Sequence, residues 1–508
     1  MAIDLPAALP PEQLVMHVPA GAATVELDFR GFRLHLHGSA PASADELARL
    51  IEPAEDLSAA VRLLADLYVE AGYPAARLHY FLVDEDLHLL VRRGHLTDID
   101  APQRLRPYFD DLVGASPLRD RDLEPRRVLA SLHADRIGQD YAAEFAPDGL
   151  DGRTLQLRAV DDDADPPWLS VGVGNSGNRF TGRYLMDVLV EQSLETGDRF
   201  RFGWQTALDG LNDSQRSDRF DDYAAGWSRV HPAGVFGLQA QLKSYAFTVS
   251  TPSSAGERAS ARILELVADW QYPLWAAADH RVIASSQLDY TSKRARLADG
   301  TTLQDETYPS VQAGLEGSWL TSWPAPQQLT LTVGVDLRHG LGRDDDADSV
   351  DERYVIGRPR LTAALILEDR WELLFHGEAQ ITRDTVPEQS QWVLGGVDAL
   401  AAWLPGIAVG DSGSLARLQL SHLDTPAPFD IELIPGVFVE YGRARFEPPD
   451  PVGRTAELAD VGTFLDARHP LGIRARASVA RSIADSGIDR DALARAQATF
   501  HFSIAVSF

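Results

Sequence analysis

Hydrophobic positions along the chain follow two different periods, and the change falls near residue 160. Before it, short stretches of period two mix with the i, i+3, i+4, i+7 spacing of an amphipathic helix. Phe32, Leu34 and Leu36 alternate with Arg33 and His35 and predict a strand. Ala44 to Ile51 reads as a helix. So does Asp56 to Ala71, where Leu57, Ala60, Val61, Leu64, Tyr68 and Ala71 share one face. Leu78 to Val83 and Leu87 to Arg92 then predict two strands joined by the acidic turn Asp84-Glu85-Asp86. The order over 24–96 is β-α-α-β-β. Residues 97–160 repeat it, with a strand at Ile99, helices over Leu105 to Leu112 and Leu123 to Arg136, and a hairpin of Tyr141 to Phe145 with Thr154 to Val160 about Asp148-Gly149. Two adjacent copies of one small unit make an internal repeat. Residues 161–167 hold four acids and two prolines, the composition of a linker. Residues 1–23 are rich in proline, lack an amphipathic period and read as an N-terminal extension.

From Trp168 to Phe508 the helical period disappears and long segments of period two take over. Leu329, Leu331, Val333, Val335 and Leu337 alternate with Thr330, Thr332, Gly334, Asp336 and Arg338. Trp371, Leu373, Phe375, Ala379 and Ile381 alternate with Glu372, His376, Glu378 and Gln380. Phe429, Ile431, Leu433, Val437, Val439 and Tyr441 oppose Asp430, Glu432 and Glu440. Phe500, Phe502, Ile504, Val506 and Phe508 close the chain in the same way. Soluble strands usually run to about 5–6 residues. These are about twice as long, matching the roughly 9–11 residues a tilted strand needs to cross a bilayer. Sixteen such segments start near 168, 181, 198, 218, 233, 259, 279, 305, 327, 353, 371, 413, 428, 456, 473 and 496. An even count suits a closed antiparallel transmembrane barrel, its apolar face toward lipid and its polar face lining a wet lumen. Arg199, Arg201, Arg474, Arg476, Glu372, Glu378, Asp430 and Glu440 fall on the predicted inward faces.

Composition narrows the chemistry. The 508 residues carry 47 Lys+Arg against 75 Asp+Glu, a net charge of −28. Phosphate binding is driven by basic surface, so this balance excludes a general nucleic-acid binder. With no cysteine, disulfides, thiolate metal sites and cysteine nucleophiles are excluded. No cofactor motif of the Walker, dinucleotide or HExxH type appears, and we expect neither a cofactor nor an enzyme. Gly410-Asp411-Ser412-Gly413 has the letters of a serine-protease nucleophile, with Ala278-Asp279-His280 as the tempting partner. A loop-to-strand turn is the better reading, because that chemistry needs a compact fold holding His and Asp beside Ser. The acidic stretch 344–348 lacks the glycine and final glutamate of a calcium loop and reads as solvated surface. His35 and His37 share a strand face with no third ligand nearby, so they read as polar face rather than metal site. The first residues lack the basic and apolar regions of an export signal, which implies either a cytoplasmic protein or a signal already removed.

Several short motifs follow one another: Tyr68 with Gly72 and Tyr73 before Pro74, Gly174-Asn175-Ser176-Gly177 with Thr181-Gly182-Arg183-Tyr184, Tyr272-Pro273-Leu274, Leu394-Gly395-Gly396 with Gly410-Asp411 downstream, and the final Phe508. In this order they resemble the TpsB family of two-partner secretion outer-membrane transporters, the haemolysin and haemagglutinin secretion/activation proteins. Tyr68 to Pro74 is similar to the family's Tyr-x-x-x-Gly-Tyr-Pro signature, and the next two motifs resemble its marks in the barrel. By the same resemblance the glycines at 395, 396 and 410 frame a long in-turned loop over 385–412, and Phe508 resembles the barrel-assembly signal. The resemblance implies two POTRA domains, 24–96 and 97–160, in the periplasm, ahead of a sixteen-stranded barrel over 168–508. It implies outer-membrane location in a Gram-negative bacterium, a monomer in membrane lipid, and help from the barrel-assembly machinery during biogenesis. The partner it implies is a large exoprotein of adhesin or haemolysin type, unfolded in the periplasm and passed through the lumen. The alternative is a barrel-assembly factor whose first and last strands open to template other barrels; a passive porin has no use for the N-terminal domains.

One departure concerns the loop. The family's Val-Arg-Gly-Tyr/Phe corresponds to Leu400-Ala401-Ala402-Trp403, so the arginine and the glycine are both alanine. In the family that arginine pairs with an acid of a later strand, here within Glu440-Tyr441-Gly442. Glu440 is therefore expected to face the lumen without its usual partner. The resemblance also implies a plug helix in some members, which residues 1–23 do not suggest.

Overall fold

The computed structural model describes residues 24–38, 40–83, 86–149, 152–160, 168–178, 181–208, 211, 220–248, 257–277, 279–322, 327–342, 353–368, 370–423, 425–426, 430–447 and 455–508. The N-terminal extension, the linker 161–167, the acidic stretch 344–348, Asp84, Glu85 and Phe429 lie outside the described residues.

The first small unit contains β1 (Thr24–Phe29), β2 (Phe32–His37), α1 (Ala44–Ile51), α2 (Leu57–Glu70), β3 (Arg77–Val83) and β4 (Asp86–Arg92). Its sheet has the order β1-β2-β4-β3, with β2 and β4 parallel. Leu34, Leu36, Leu87 and Leu89 point from the sheet into a core completed by Leu47, Ile51, Leu64 and Tyr68 of the helices. The helix starts follow from local chemistry. Ser43 and Glu46 form a reciprocal capping box on α1, and the Asp56 carboxylate accepts the Ala59 N–H at α2. The pattern reading began at Phe32 and missed β1. Arg30 and Gly31 both have positive φ, the geometry of a two-residue hairpin, so β1 folds back on β2 and buries Leu27 and Phe29.

The second unit contains β5 (His95–Asp100), α3 (Asp120–Arg136), β6 (Asp140–Asp148) and β7 (Gly152–Val160), in a sheet ordered β5-β7-β6. The expected helix over 105–112 is instead two single 3-10 turns, Arg106–Tyr108 and Asp110–Leu112. Phe109 N–H donates to the Arg106 carbonyl and Leu112 N–H to that of Phe109, i→i+3 bonds that close each turn without an α-helical ladder, and Leu105, Tyr108, Phe109 and Leu112 still reach the core.

The barrel strands are β8 (Leu169–Gly174), β9 (Leu185–Ser193), β10 (Asp198–Ala207), β11 (Phe220–His231), β12 (Gly234–Thr248), β13 (Arg258–Ala276), β14 (His280–Leu297), β15 (Thr302–Ser322), β16 (Gln328–Gly340), β17 (Val355–Leu367) and β18 (Trp371–Gln380). A separate hairpin, β19 (Trp392–Leu394) with β20 (Ala408–Gly410), interrupts them. The barrel resumes with β21 (Ser412–His422), β23 (Glu432–Arg445), β24 (Thr455–His469), β25 (Ile473–Ser486) and β26 (Phe500–Ser507); β22 (Thr425–Pro426) is a two-residue piece beside β23. A short helix, α4 (Arg490–Ala496), precedes β26. Sixteen antiparallel strands close through β26 and β8, and each begins within four residues of its expected position.

Exposure follows the alternation. Val333, Val335 and Leu337 are exposed on the outer face, and Asp336 between them is buried on the inner one. Val437, Val439 and Tyr441 repeat the pattern around buried Phe438 and Glu440. Asp430 departs from expectation. It sits before β23 with φ +55° rather than on an inward strand face, because the strand begins only at Glu432.

Candidate functional site

Loop 381–411 joins β18 to β21 and packs on the inner face of the wall. Its path is set by backbone chemistry. Gly395 and Gly396 have φ of +103° and +102°, and a Cβ on Gly395 would lie 2.2 Å from the Leu404 carbonyl. The chain turns there, and the tip Leu400-Ala401-Ala402-Trp403 ends almost fully buried. The tip enters an apolar cluster with Leu394 of the loop and Leu415, Phe438, Leu458, Phe464 and Ala480 of the wall. Two aromatics thus occupy the face expected to be polar. Their rings lie flat over glycines: a Cβ on Gly462 would be 2.3 Å from Phe438 Cζ, and one on Gly436 would be 2.3 Å from Phe464 Cζ.

Beside this cluster lies a polar row. Arg417, Glu440 and Asp460 stand directly opposite one another on β21, β23 and β24. Arg417 donates from one nitrogen to Glu440 Oε1 at 3.1 Å and to the loop carbonyl of Val397 at 3.0 Å. Its guanidinium sits 4.4 Å from the centre of the Phe438 ring. Ala401 N–H donates to Glu440 Oε2 at 2.9 Å, and Ala402 N–H to Asp460 Oδ2 at 2.7 Å. The expectation of a partnerless Glu440 is therefore corrected. The cation that the loop lacks is supplied by the neighbouring wall strand, and the loop contributes backbone amides in place of a side chain. Buried carboxylates need such partners, since an uncompensated one costs several kcal/mol.

The other motif residues hold the loop at its ends. Asp411 is fully buried; its carboxylate accepts Val386 N–H and Glu447 N–H, both at 2.9 Å, and its carbonyl accepts Gln380 Nε2 at 2.7 Å. Gly410 leaves room for the backbone of Arg445, 2.5 Å from where a Cβ would stand. Gly442 seats the tip: a Cβ there would be 2.7 Å from Leu400 Cδ1. On the other limb Lys293 of β14 pairs with Glu388, and Tyr354 Oη lies 3.0 Å from Ser390 Oγ. Ser412 Oγ donates to the Thr382 carbonyl at 3.2 Å, and Asp411 is spent on backbone amides, so the protease-like letters build a turn.

The remaining predicted residues lie elsewhere. Tyr68 is buried in the core of the first unit, where burial pushes its phenol up to about 12. Gly72 takes φ +84° at the end of α2, and its carbonyl accepts Asp120 N–H at 3.1 Å. The Tyr73 ring lies 4.7 Å from the Arg93 guanidinium and 5.9 Å from that of Arg119. Arg153 of the second unit donates to the carbonyls of Ala75 and Ala76. This motif therefore joins the two small units. Phe508 is 61% exposed, donates to the Leu169 carbonyl at 2.8 Å and accepts Trp168 N–H at 2.9 Å, so it ends the barrel seam. Sequence reasoning missed Arg417, Asp460, Phe438, Phe464 and His501. The signal for Phe438 was present: a large apolar residue between Val437 and Val439 breaks the alternation.

The family model for the haemolysin secretion/activation protein ShlB/FhaC/HecB matches residues 154–458. Among solved structures, CdiB from Escherichia coli superposes with a TM-score of 0.72 at 17% identity, over 96% of this chain and 91% of that one. CdiB from Acinetobacter baumannii gives 0.65 at 14% identity, over 100% and 95%. No curated protein matches the sequence.

Proposed function

The chain belongs to the haemolysin secretion/activation family of outer-membrane two-partner secretion transporters, and from that premise we propose that it exports one large exoprotein of adhesin or haemolysin type through its lumen. The observation that carries the reading is the loop. A barrel stopped by a loop held through hydrogen bonds and apolar packing has a plug that can be removed without breaking a covalent bond. The two small units, 24–96 and 97–160, act as POTRA domains in the periplasm. Their sheets leave β1 and β3, and β5 and β6, as edges to which an extended cargo backbone can add. The loop then swings from the lumen, and folding of the cargo outside draws the chain through. The transporter works as a monomer in membrane lipid after the barrel-assembly machinery has inserted it.

The test is the composition of the culture medium from cells with the gene, without it, and with residues 24–160 deleted. The reading expects one large protein to vanish in both altered strains while the truncated barrel still inserts. Normal export by the truncated form would sink the capture step.

A further inference from the structure

The tip of the plug loop touches one more element, the segment 496–502, which runs from the last residue of α4 into the first residues of β26. Leu404 N–H donates to the Ala496 carbonyl at 2.7 Å, and Ala498 N–H to the Ala402 carbonyl at 2.8 Å. Trp403 and Gln497 form a β-bridge between these bonds. His501, almost fully buried, places Nε2 2.7 Å from the Ala401 carbonyl.

The same segment also closes the barrel. Backbone bonds between β26 and β8 run from Asn175 N–H on the Phe502 carbonyl, at 3.1 Å, to Trp168 N–H on the Phe508 carbonyl, at 2.9 Å. By contrast, the ladder between β14 and β15 runs from His280–Trp319 to Arg296–Thr302. Beyond the Asn175–Phe502 bond a side chain takes over. Asn175, 2% exposed, accepts Phe502 N–H at 2.7 Å and donates to the Phe500 carbonyl at 2.9 Å, which also accepts from Arg183 at 3.1 Å. The amide of Asn175 stands in for a peptide unit of the missing ladder. Residues 496–502 therefore hold the loop tip on one side and the first strand on the other.

We propose that 496–502 is a strap coupling the plug to the seam, so that withdrawal of the loop and loosening of the β26–β8 junction are a single transition. The inference rests on the reading that the loop leaves the lumen. Losing the loop bonds frees the Ala498 N–H and the His501 ring from the tip and leaves residues 500–502 paired to β25. The strap then moves, and the Asn175 clasp moves with it. In the other direction, a fixed seam holds the strap and hence the loop.

The natural chain has no cysteine, so engineered pairs report cleanly. Val173→Cys with Ile504→Cys places cysteines on direct cross-strand partners at the seam. Leu400→Cys with Gly442→Cys pins the tip to the wall, the new side chain at 442 taking space that Leu400 vacates. The readout is the opening frequency of the purified full chain in planar bilayers with KCl, recorded before and after reductant on the same molecules. Oxidation of the seam pair is expected to cut openings at least tenfold, and reductant to restore them. Asn175→Ala is expected to raise openings about tenfold, the scale of one or two net hydrogen bonds. If the oxidised seam pair opens as often as its reduced form while the oxidised tip pair is silent, the coupling is wrong and the plug survives. If the oxidised tip pair opens normally, the plug reading itself falls.

Discussion

Arg417→Met tests whether the wall cation holds the plug. Methionine keeps the length and apolar contact of the side chain over Phe438 and removes the charge. Arg417 makes one bond that exists only with the loop in place, the donation to the Val397 carbonyl, and two within the wall, to Glu440 and to Gln419 Oε1. The wall bonds survive loop withdrawal, so their loss affects both states. Hydrogen bonds to charged groups contribute about 1.5–3 kcal/mol. A further penalty falls on the closed state alone, because Glu440 and Asp460 are buried there and would be hydrated once the lumen is wet. The differential shift is thus at least about 1.5–3 kcal/mol, or roughly ten- to a hundredfold in the open-to-closed ratio. Single-channel recording of the purified protein reads this directly, and folding is checked by heat-modifiable gel mobility. Ala401→Arg added to Arg417→Met returns a cation to the acids from the loop side and should recover much of the closure. An Arg417→Met barrel that folds and opens no more often than the parent would refute the latch.

Three further outcomes follow from the same contacts. Gly442→Val puts methyls where Leu394 and Leu400 sit, so it should expel the tip and raise conductance without slowing barrel assembly, as read by the same recordings and gels. Tyr68→Ala empties a fully buried site in the first small unit and should cost about 3–5 kcal/mol there, seen as faster hydrogen exchange in β2 and β4 with the barrel unaffected. The third concerns pH. Burial, with the neighbouring imidazoles, holds His37 and His88 below the ordinary histidine range, and Asp86 only partly opposes this at His88. The folded unit binds fewer protons than the unfolded chain, so this contribution is full above about pH 6.5 and is lost as pH falls through the lowered values. Protection factors in β2 and β4, exchange rates corrected for the intrinsic slowing of amide exchange in acid, should therefore fall on acidification, and His88→Gln should flatten that response. An unchanged profile in His88→Gln would show that these imidazoles do not set it.

What the sequence disclosed follows from where burial is regular. Lipid meets every second residue of a barrel strand, so sixteen strands and their order were legible from alternation, whereas the in-turned loop between β18 and β21 came from the family resemblance. The plug's chemistry was not, because it depends on register. Arg417, Glu440 and Asp460 lie far apart in the chain and become neighbours only when three strands align. A motif comparison looked for a cation on the loop and found Ala401. The geometry puts the cation on the wall, which no local pattern announces. Phe464 was hidden for a related reason: its place depends on Gly436 of the next strand. β1 was legible as well, although the expected unit opens at Phe32: Val25, Leu27 and Phe29 alternate with Glu26 and Asp28, and Gly31 marks the turn that precedes Phe32.

Passage of the cargo through the lumen is the claim on which the account stands. The most direct measurement is photocrosslinking during secretion, with a photoreactive residue at inward-facing Arg474 and, as a control, at Val335 on the lipid face. The account predicts that the probe at 474 captures the one large exoprotein missing from the medium of the deletion strain, and that the probe at 335 does not. Continued secretion with no cargo captured at 474, or capture there of several outer-membrane barrel proteins instead, would contradict it.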